Sequence, residues 1–398
     1  MKVVQINTTC GVGSTGNICM GISQILTENI IENYIIYSSI SNGYNLGIKS
    51  SNNKYIKWQA LKSRSFGNYG FNSNKATKKI IDILNNIDPD IIHLHNIHGH
   101  DCNIELLFNY FKKNKKKLVW TFHDCWAFTG YCTHFTLAKC SKWQTKCFDC
   151  AQKKDYTWFF DKSSELYEKK KEIFKDLDLT IVTPSQWLAD IAKNSFLKYY
   201  PVKVINNGIN LTVFKPNESD FRQRYGLIDK KIILGVSFEW GKRKGLDVFI
   251  NLSGRLNDSY KVILVGTDDT IDGILPDSIL SIHRTQNQKE LAEIYSAADV
   301  FVNTTREENY PTVNMEALAC GTPVLTFRTG GSPEMLDETC GSVVECNDID
   351  ALEKEIKRIC NDKPYDKESC IHKASEFDRN ERFKEYLKLY ERINIART

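Results

Sequence analysis

Lys2-Val3-Val4-Gln5-Ile6-Asn7-Thr8-Thr9-Cys10-Gly11-Val12-Gly13-Ser14-Thr15-Gly16 opens the chain. Val3, Val4 and Ile6 make a short apolar run, glycines crowd the next stretch, and Ile18, Ile22, Ile25 and Leu26 recur at helical spacing. Strand, glycine loop and helix begin a β–α alternation that continues. Strand-like runs follow at Tyr34–Tyr37, Asp90–Leu94, Leu118–Phe122 and Thr180–Thr183, with a helical stretch at Asn74–Ile87. The pattern predicts a parallel, doubly wound α/β sheet. It then restarts. Lys203-Val204-Ile205 is a brief strand, Asn206-Asn207-Gly208 a turn, and further strands are expected at Ile232–Val236, Lys261–Val265, Val300–Val302 and Pro323–Phe327. A last helix is expected over Asn380–Ile393, with Phe383, Tyr386, Leu387 and Tyr390 on one face. Two α/β halves therefore join near residues 200–210.

At 398 residues the chain has room for two domain cores. Its 41% hydrophobic and 26% charged residues are an ordinary globular balance. A net charge of +4 is too mild to argue for a nucleic-acid partner. No apolar run reaches the ~20 residues that cross a bilayer, and the N-terminus lacks the apolar core of a signal peptide. Thirteen cysteines spread over such a chain do not read as a secreted disulfide scaffold.

Open α/β sheets bind ligands beyond the carboxyl ends of their strands, so the loops there carry the chemistry. Two such domains facing each other would enclose a cleft. Gly11, Gly13 and Gly16 fit Gly-x-Gly-x-x-Gly. The next strand offers no acidic residue for a ribose, which disfavours a dinucleotide and leaves a phosphate or sugar contact, or a bare tight turn. His93, His95, His98 and His100 crowd together, with His123-Asp124 one strand later. Sugar contacts, core packing and a metal site all fit them. Among Cys125, Cys132, Cys140, Cys147 and Cys150, the Cys147-Phe148-Asp149-Cys150 knuckle with Cys132 and Cys140 could form a four-cysteine structural zinc site. Free thiols and disulfides are the alternatives. Trp240-Gly241-Lys242-Arg243-Lys244-Gly245 puts three cations in one loop, which suits a diphosphate.

Two acidic motifs follow. Arg306-Glu307-Glu308-Asn309-Tyr310-Pro311-Thr312-Val313-Asn314-Met315-Glu316-Ala317-Leu318-Ala319-Cys320-Gly321-Thr322-Pro323-Val324 presents Glu308 and backbone N–H groups at a helix start. Pro311 is expected at the first helical position and Glu316 about two turns inside. Carboxylates there accept from sugar hydroxyls. Thr329-Gly330-Gly331-Ser332-Pro333-Glu334 again follows a strand and lets backbone approach a phosphate.

These last three motifs, in this order, resemble the retaining GT-B glycosyltransferases of family four. The Glu308-x₇-Glu316 pair with Ala317–Val324 behind it is similar to that family's hallmark, and Asn206–Asn210 with Phe214-Lys215-Pro216 resembles its entry to the second domain. His123-Asp124-Cys125-Trp126-Ala127-Phe128-Thr129-Gly130-Tyr131-Cys132 resembles bacterial exopolysaccharide and O-antigen enzymes of the colanic-acid type. The resemblance implies a GT-B fold of two Rossmann-like domains facing a central cleft. Residues 1–203 would bind the acceptor and 204–378 the nucleotide sugar, with a helix at 379–398 packing back on the first domain.

It also implies roles. Glu308 would bind a hydroxyl of the donor sugar, with Asn309, Tyr310, Pro311 and Thr312 forming the helix entry beside it. Glu316 would bind the ribose, and Lys244 would neutralise the leaving diphosphate. Arg243 would replace the family's phosphate arginine, whose usual place holds Glu239. His95 would contact the transferred sugar. Gly13, Gly330 and Gly331 would line the donor, and Gly11, Gly16, His123 and Asp124 the acceptor. Asn309 stands where the family often has glycine. The reaction implied is retaining transfer from a nucleotide sugar to a saccharide hydroxyl, with no cofactor required for chemistry. The acceptor would be carried on a polyprenyl diphosphate. Lys112-Lys113-Asn114-Lys115-Lys116-Lys117 and Lys169-Lys170-Lys171 suggest peripheral contact with an anionic membrane from the cytoplasmic side. A 2-epimerase of the same fold and a catalytically silent sugar-binding subunit are the rival readings.

Overall fold

The computed structural model describes residues 1–395. It divides into two compact units. The first is residues 1–206 with the C-terminal segment from Asn380, and the second is Asn207–Arg379.

The first unit holds strands β1 (Lys2–Asn7), β2 (Glu32–Tyr37), β3 (Gly47–Lys49), β4 (Ile91–Leu94), β5 (Lys117–Thr121), β6 (Asp178–Thr183) and β7 (Val202–Val204). All run parallel, in the order β3-β2-β1-β4-β5-β6-β7. The strand order reverses between β1 and β4, so the loops after those two strands diverge and open a crevice. Side chains alternate across the sheet. Val4, Ile6, Ile92, Leu94, Leu118 and Trp120 face one way, against Leu107 and Phe108 of the Ile104–Lys113 helix. Val3, Ile91 and Val119 face the other, against Ile18, Ile22 and Ile25 of the Gly13–Glu28 helix. Each large apolar side chain removed from water stabilises by about 1.5–3 kcal/mol.

The C-terminal helix, Arg379–Ile395, belongs to this second face through Phe383, Tyr386, Leu389 and Tyr390. Leu387, expected on the contact face, is only half-buried. The helix covers a polar seam in the sheet. The His93 ring is wholly buried, with Nδ1 2.6 Å from the Tyr390 hydroxyl and Nε2 2.8 Å from Thr121 Oγ1. The Tyr386 hydroxyl lies 3.2 Å from the same Thr121 oxygen.

The second unit repeats the plan with β8 (Lys231–Val236), β9 (Tyr260–Val265), β10 (Ile279–Ile282), β11 (Val300–Asn303), β12 (Val324–Phe327) and β13 (Gly341–Val344). The order is β10-β9-β8-β11-β12-β13, again parallel, with the reversal between β8 and β11. Ile233, Val262, Leu264 and Val302 pack on Phe249 and Ile356. Leu234, Ile263 and Phe301 pack on the opposite face with Tyr295 and Met315.

In the two lysine runs Lys113, Lys115, Lys169 and Lys171 are exposed, while others are engaged by neighbouring groups. Lys112 donates to the Glu172 carbonyl, Lys116 pairs with Asp88 at 2.6 Å, and Lys117 donates to the Ile393 and Asn394 carbonyls. Lys170 is buried.

Tyr390→Phe deprives a buried imidazole nitrogen of its partner. The expected loss is about 1–3 kcal/mol, the penalty for an unsatisfied buried polar atom. A lower urea midpoint at unchanged slope checks it, and a midpoint equal to the parent's would refute it.

Candidate active site

In the second unit the two strands beside the reversal, β8 and β11, carry the basic and acidic loops. A buried arginine ties these loops together. Arg306 Nη1 and Nη2 contact the two Asp247 carboxylate oxygens at 2.7 and 2.8 Å, and its Nε donates to Asn347 Oδ1 at 2.6 Å. Nη1 also donates to the Lys242 carbonyl, and the Arg306 N–H donates to the Arg243 carbonyl at 2.9 Å. Thr304 Oγ1 donates to the Lys244 carbonyl at 3.1 Å. The fork of a guanidinium meeting a carboxylate fixes orientation as well as distance.

So held, Lys244 Nζ lies 2.7 Å from Glu308 Oε2, with both side chains about one-fifth exposed. Glu308 Oε1 accepts from the Asn309 N–H at 3.1 Å. The loop after β12 locks against this one, where the Gly331 N–H donates to the Asn309 carbonyl at 2.7 Å. Gly330 sits at φ +57°, where a Cβ would come within 1.8 Å of the Glu308 carbonyl oxygen. Only glycine permits that approach. Arg243 is half-buried and its guanidinium makes no hydrogen bond or ion pair among the described residues. The chain thus keeps an unpaired cation beside a paired one.

Pro311 is the N-cap of the next helix, not its first residue. That helix is Thr312–Ala319, so Glu316 lies about one turn inside and not two. Pro311 supplies no N–H and no capping side chain. The Leu246–Ser253 helix, after the basic loop, also lacks a side-chain cap. Asp268, Asn287, Asp348 and Asp366 do cap other helices of the unit. Uncapped N-termini leave N–H groups and the positive end of the helix dipole for an anion. Glu316 is half-buried, and Tyr295 Oη donates to its Oε2 at 3.1 Å. Burial pushes its carboxyl up to about 7, against the opposing bonds from Tyr295 and Thr312. Tyr310 is buried against Phe377, and its carbonyl accepts from Asn207 Nδ2 at 3.3 Å. Asn309 is also buried.

In the first unit the glycine loop follows β1 and His95 follows β4. Gly13 starts the first helix at φ +69°, its Cα facing open space, and Val12 provides no side-chain cap. Gly16 packs against Thr9, and the Gly11 N–H closes the loop onto the Gly16 carbonyl at 3.0 Å. His95 is 1% exposed, with Nε2 3.0 Å from Gln5 Oε1 and Nδ1 3.1 Å from His123 Nε2. Both ring nitrogens are engaged, so His95 backs His123, whose stacked ring is the more exposed of the two. Burial lowers both imidazoles, His123 to about 4, with Asp124 opposing, so both rings are neutral near pH 7. Burial disfavours the Asp124 carboxylate. Its contact with His98 Nε2 at 2.8 Å outweighs this, and with the Trp126 N–H bond holds it at about 2. Asp124 is therefore held by the His98 ring and the Trp126 N–H. Cys132, Cys140, Cys147 and Cys150 line one small cavity, from which Cys125 is absent.

Sequence reasoning missed Tyr295, Asp247 and Gln5. Each reaches its partner from a distant segment, with no local signal. Arg306 lies inside the quoted motif, and its burial was the unread clue.

Two parallel, doubly wound units make the GT-B architecture of glycosyltransferases. Two family profiles match the chain, Glycosyltransferase Family 4 over residues 55–213 and Glycosyl transferases group 1 over residues 217–377. The chain belongs to this glycosyltransferase family. The putative colanic acid biosynthesis glycosyl transferase WcaC of Escherichia coli K12 is 23% identical over 386 residues, 88% of each chain. Sucrose-phosphate synthase from Thermosynechococcus elongatus has the same fold, with a TM-score of 0.71 at 18% identity over 99% of both chains. HepE of Anabaena, solved with UDP-glucose, gives 0.68 at 15% identity over 98% of this chain and 99% of that one.

Between about pH 4.5 and 7 the folded protein retains a Glu316 proton that the unfolded chain has released. This contribution to stability is present below about 4.5 and lost as pH rises through about 7. Glu316→Gln is expected to flatten that slope and exceed the parent by about 1–3 kcal/mol on the alkaline side. Urea titrations across the window check it, and parallel parent and variant curves would refute it.

Proposed function

We propose that this glycosyltransferase moves a hexosyl or N-acetylhexosaminyl group from a nucleotide sugar to a saccharide hydroxyl, with retention, during synthesis of a bacterial surface polysaccharide. The observation that carries the reading is the Lys244–Glu308 pair, clamped by Arg306 beside Arg243 and two uncapped helix starts. Donor binding separates that pair. Glu308 accepts from a donor-sugar hydroxyl, while Lys244, Arg243 and the N–H groups near Thr312 and Gly330-Gly331 take the diphosphate. Glu316 accepts from the ribose hydroxyls. The bond from the anomeric carbon to the diphosphate oxygen breaks, and the acceptor oxygen bonds to the same face. The departing diphosphate oxygen takes the acceptor proton, so the step needs no protein nucleophile. Stabilising that diphosphate is the main catalytic effect. In the first unit, His123 contacts sugar and His95 positions it, with Gly11, Gly13 and Gly16 shaping the loop and Asp124 held by His98. The likeness to WcaC supports a polysaccharide pathway.

A lipid-linked acceptor and peripheral membrane contact fit an exposed aromatic edge. Trp58, Leu61 and Phe66 lie exposed on the Asn53–Phe66 helix, and Trp158, Phe159 and Phe160 are exposed where the Trp158 N–H meets the Arg64 carbonyl. No helix among the described residues is long and apolar enough to cross a membrane.

Thermal shifts against UDP, GDP, TDP, ADP and NAD test the donor class, since ligands of the native state raise its stability. One nucleoside diphosphate should stabilise the protein, less so in Glu316→Gln. Its binding should tighten as pH rises through about 7, where Glu316 becomes ionised. Stabilisation by NAD alone would overturn the reading. With the donor known, Lys244→Ala should lower kcat/KM by roughly 100-fold or more, and product NMR should show the donor's anomeric configuration. Sugar conversion without an acceptor would favour the epimerase.

A further inference from the structure

The segment from Cys125 to Lys162 has little regular structure. Its elements are the turns Trp126–Phe128 and Lys142–Gln144 and the short helix Lys153–Tyr156. So long an irregular stretch is uncommon in a compact unit. Yet it buries Trp126, Phe128, Tyr131, Phe135 and Trp143. Without ladder hydrogen bonds, something else must hold it.

We propose that Cys132, Cys140, Cys147 and Cys150 bind one structural Zn²⁺ that staples this segment together. All four line a cavity of about 20 Å³, room for a single small ion or water. Cys132 Sγ and Cys150 Sγ lie 3.8 Å apart. A zinc tetrahedron with Zn–S bonds of about 2.3 Å has sulfur–sulfur edges of about 3.8 Å. No three of the sulfurs lie within 4.8 Å of one another, so Cys140 and Cys147 close in by side-chain rotation when the ion binds.

The backbone turns sharply just before two of the sulfurs. Lys139, before Cys140, and Asp149, before Cys150, both adopt left-handed φ, at +48° and +41°. Non-glycine residues pay energy for that conformation and hold it where the surroundings impose it. Lys142 Nζ clamps the Cys147–Cys150 knuckle by donating to the Phe148 and Asp149 carbonyls at 3.0 and 3.2 Å. The Gly130 N–H points at Cys147 Sγ at 3.3 Å, a bond that favours a thiolate ligand. Lys170 braces the segment. Its buried Nζ sits 3.6 Å from the Trp126 ring centre and donates to the Trp126, Thr129 and Gly130 carbonyls, although burial pushes its amine well below the usual lysine range. The ion's role is cross-linking, so activity need not involve it.

The full chain, purified in reducing buffer without metal-affinity resin and dialysed against EDTA, should contain one zinc per molecule by elemental analysis. Cys140→Ser and Cys147→Ser should each lose most of it, while Cys346→Ser, in the other unit, should keep it. Should the serine variants fail to fold, the parent decides the matter. Mercurial titration should release one zinc for four thiols, and replacement by Co²⁺ should give thiolate-to-cobalt charge transfer with tetrahedral bands. Removing zinc should open the Lys139–Lys162 stretch to protease. A metal-free protein with four freely alkylated thiols, a Cys132–Cys150 disulfide, iron in place of zinc, or zinc retained by both serine variants would overturn the proposal.

Discussion

The candidate donor site depends on one ion pair. Arg306 lies in the loop after β11 and Asp247 in the first turn of the Leu246–Ser253 helix that follows the basic loop after β8, and the strand-order reversal carries those connections apart. Left alone, the basic loop is a short turn with three like charges and no regular ladder. The guanidinium reverses that tendency. It fixes the Asp247 carboxylate beside the three cations, takes the Lys242 carbonyl, and holds Asn347 as well. Its side chain is 7% exposed while Asp247 is 56% exposed. The arginine's desolvation is therefore offset by several hydrogen bonds and not by one pair alone, which is the condition under which a buried charge is tolerated. Lysine could not repeat the fork.

From this clamp the other features follow. Lys244 and Glu308 meet because their backbones are already fixed. A pair only one-fifth exposed on each side is costly to separate unless each partner is replaced, so a ligand must supply a new partner to both. The site thus holds a cation and a carboxylate whose mutual contact the proposed diphosphate and sugar hydroxyl would replace. Gly330 pins the third loop on the back of Glu308, which limits how far the carboxylate can move during that exchange.

The alternation of strands and helices was legible because each parallel strand is buried on both faces and reads as a continuous apolar run. The three strands not expected, β3, β10 and β13, are three or four residues long and sit at or near the sheet edges, where Gly47, Ser281 and Gly341 interrupt the apolar pattern. The acidic and basic loops were legible because their residue types have few uses at a strand's carboxyl end. The contacts of His95 were not legible for a different reason. A histidine that touches a ligand and one that braces it have the same local sequence, and only the contacts with Gln5 and His123 tell them apart. The offset of Pro311 by one position has a similar cause, since its fixed φ of −75° serves an N-cap as well as a first helical turn.

The same reasoning explains why the chain returns to its first unit at the end. β1, β4 and β5 place Gln5, His93, His95 and Thr121 on one face of the sheet by simple alternation. A bare apolar helix over them would leave buried polar atoms without partners, at about 1–3 kcal/mol each. The Gly13–Glu28 helix satisfies only Gln5, through the Cys19 carbonyl at 3.0 Å. Tyr386 and Tyr390 supply hydroxyls at the depth required for His93 and Thr121. The polar seam and the C-terminal helix are thus each unfavourable without the other. His95, which backs His123, has its ring 4.0 Å from that of His93. The geometry of the His95–His123 contact is therefore set in part by residues almost three hundred positions beyond His93 in the chain.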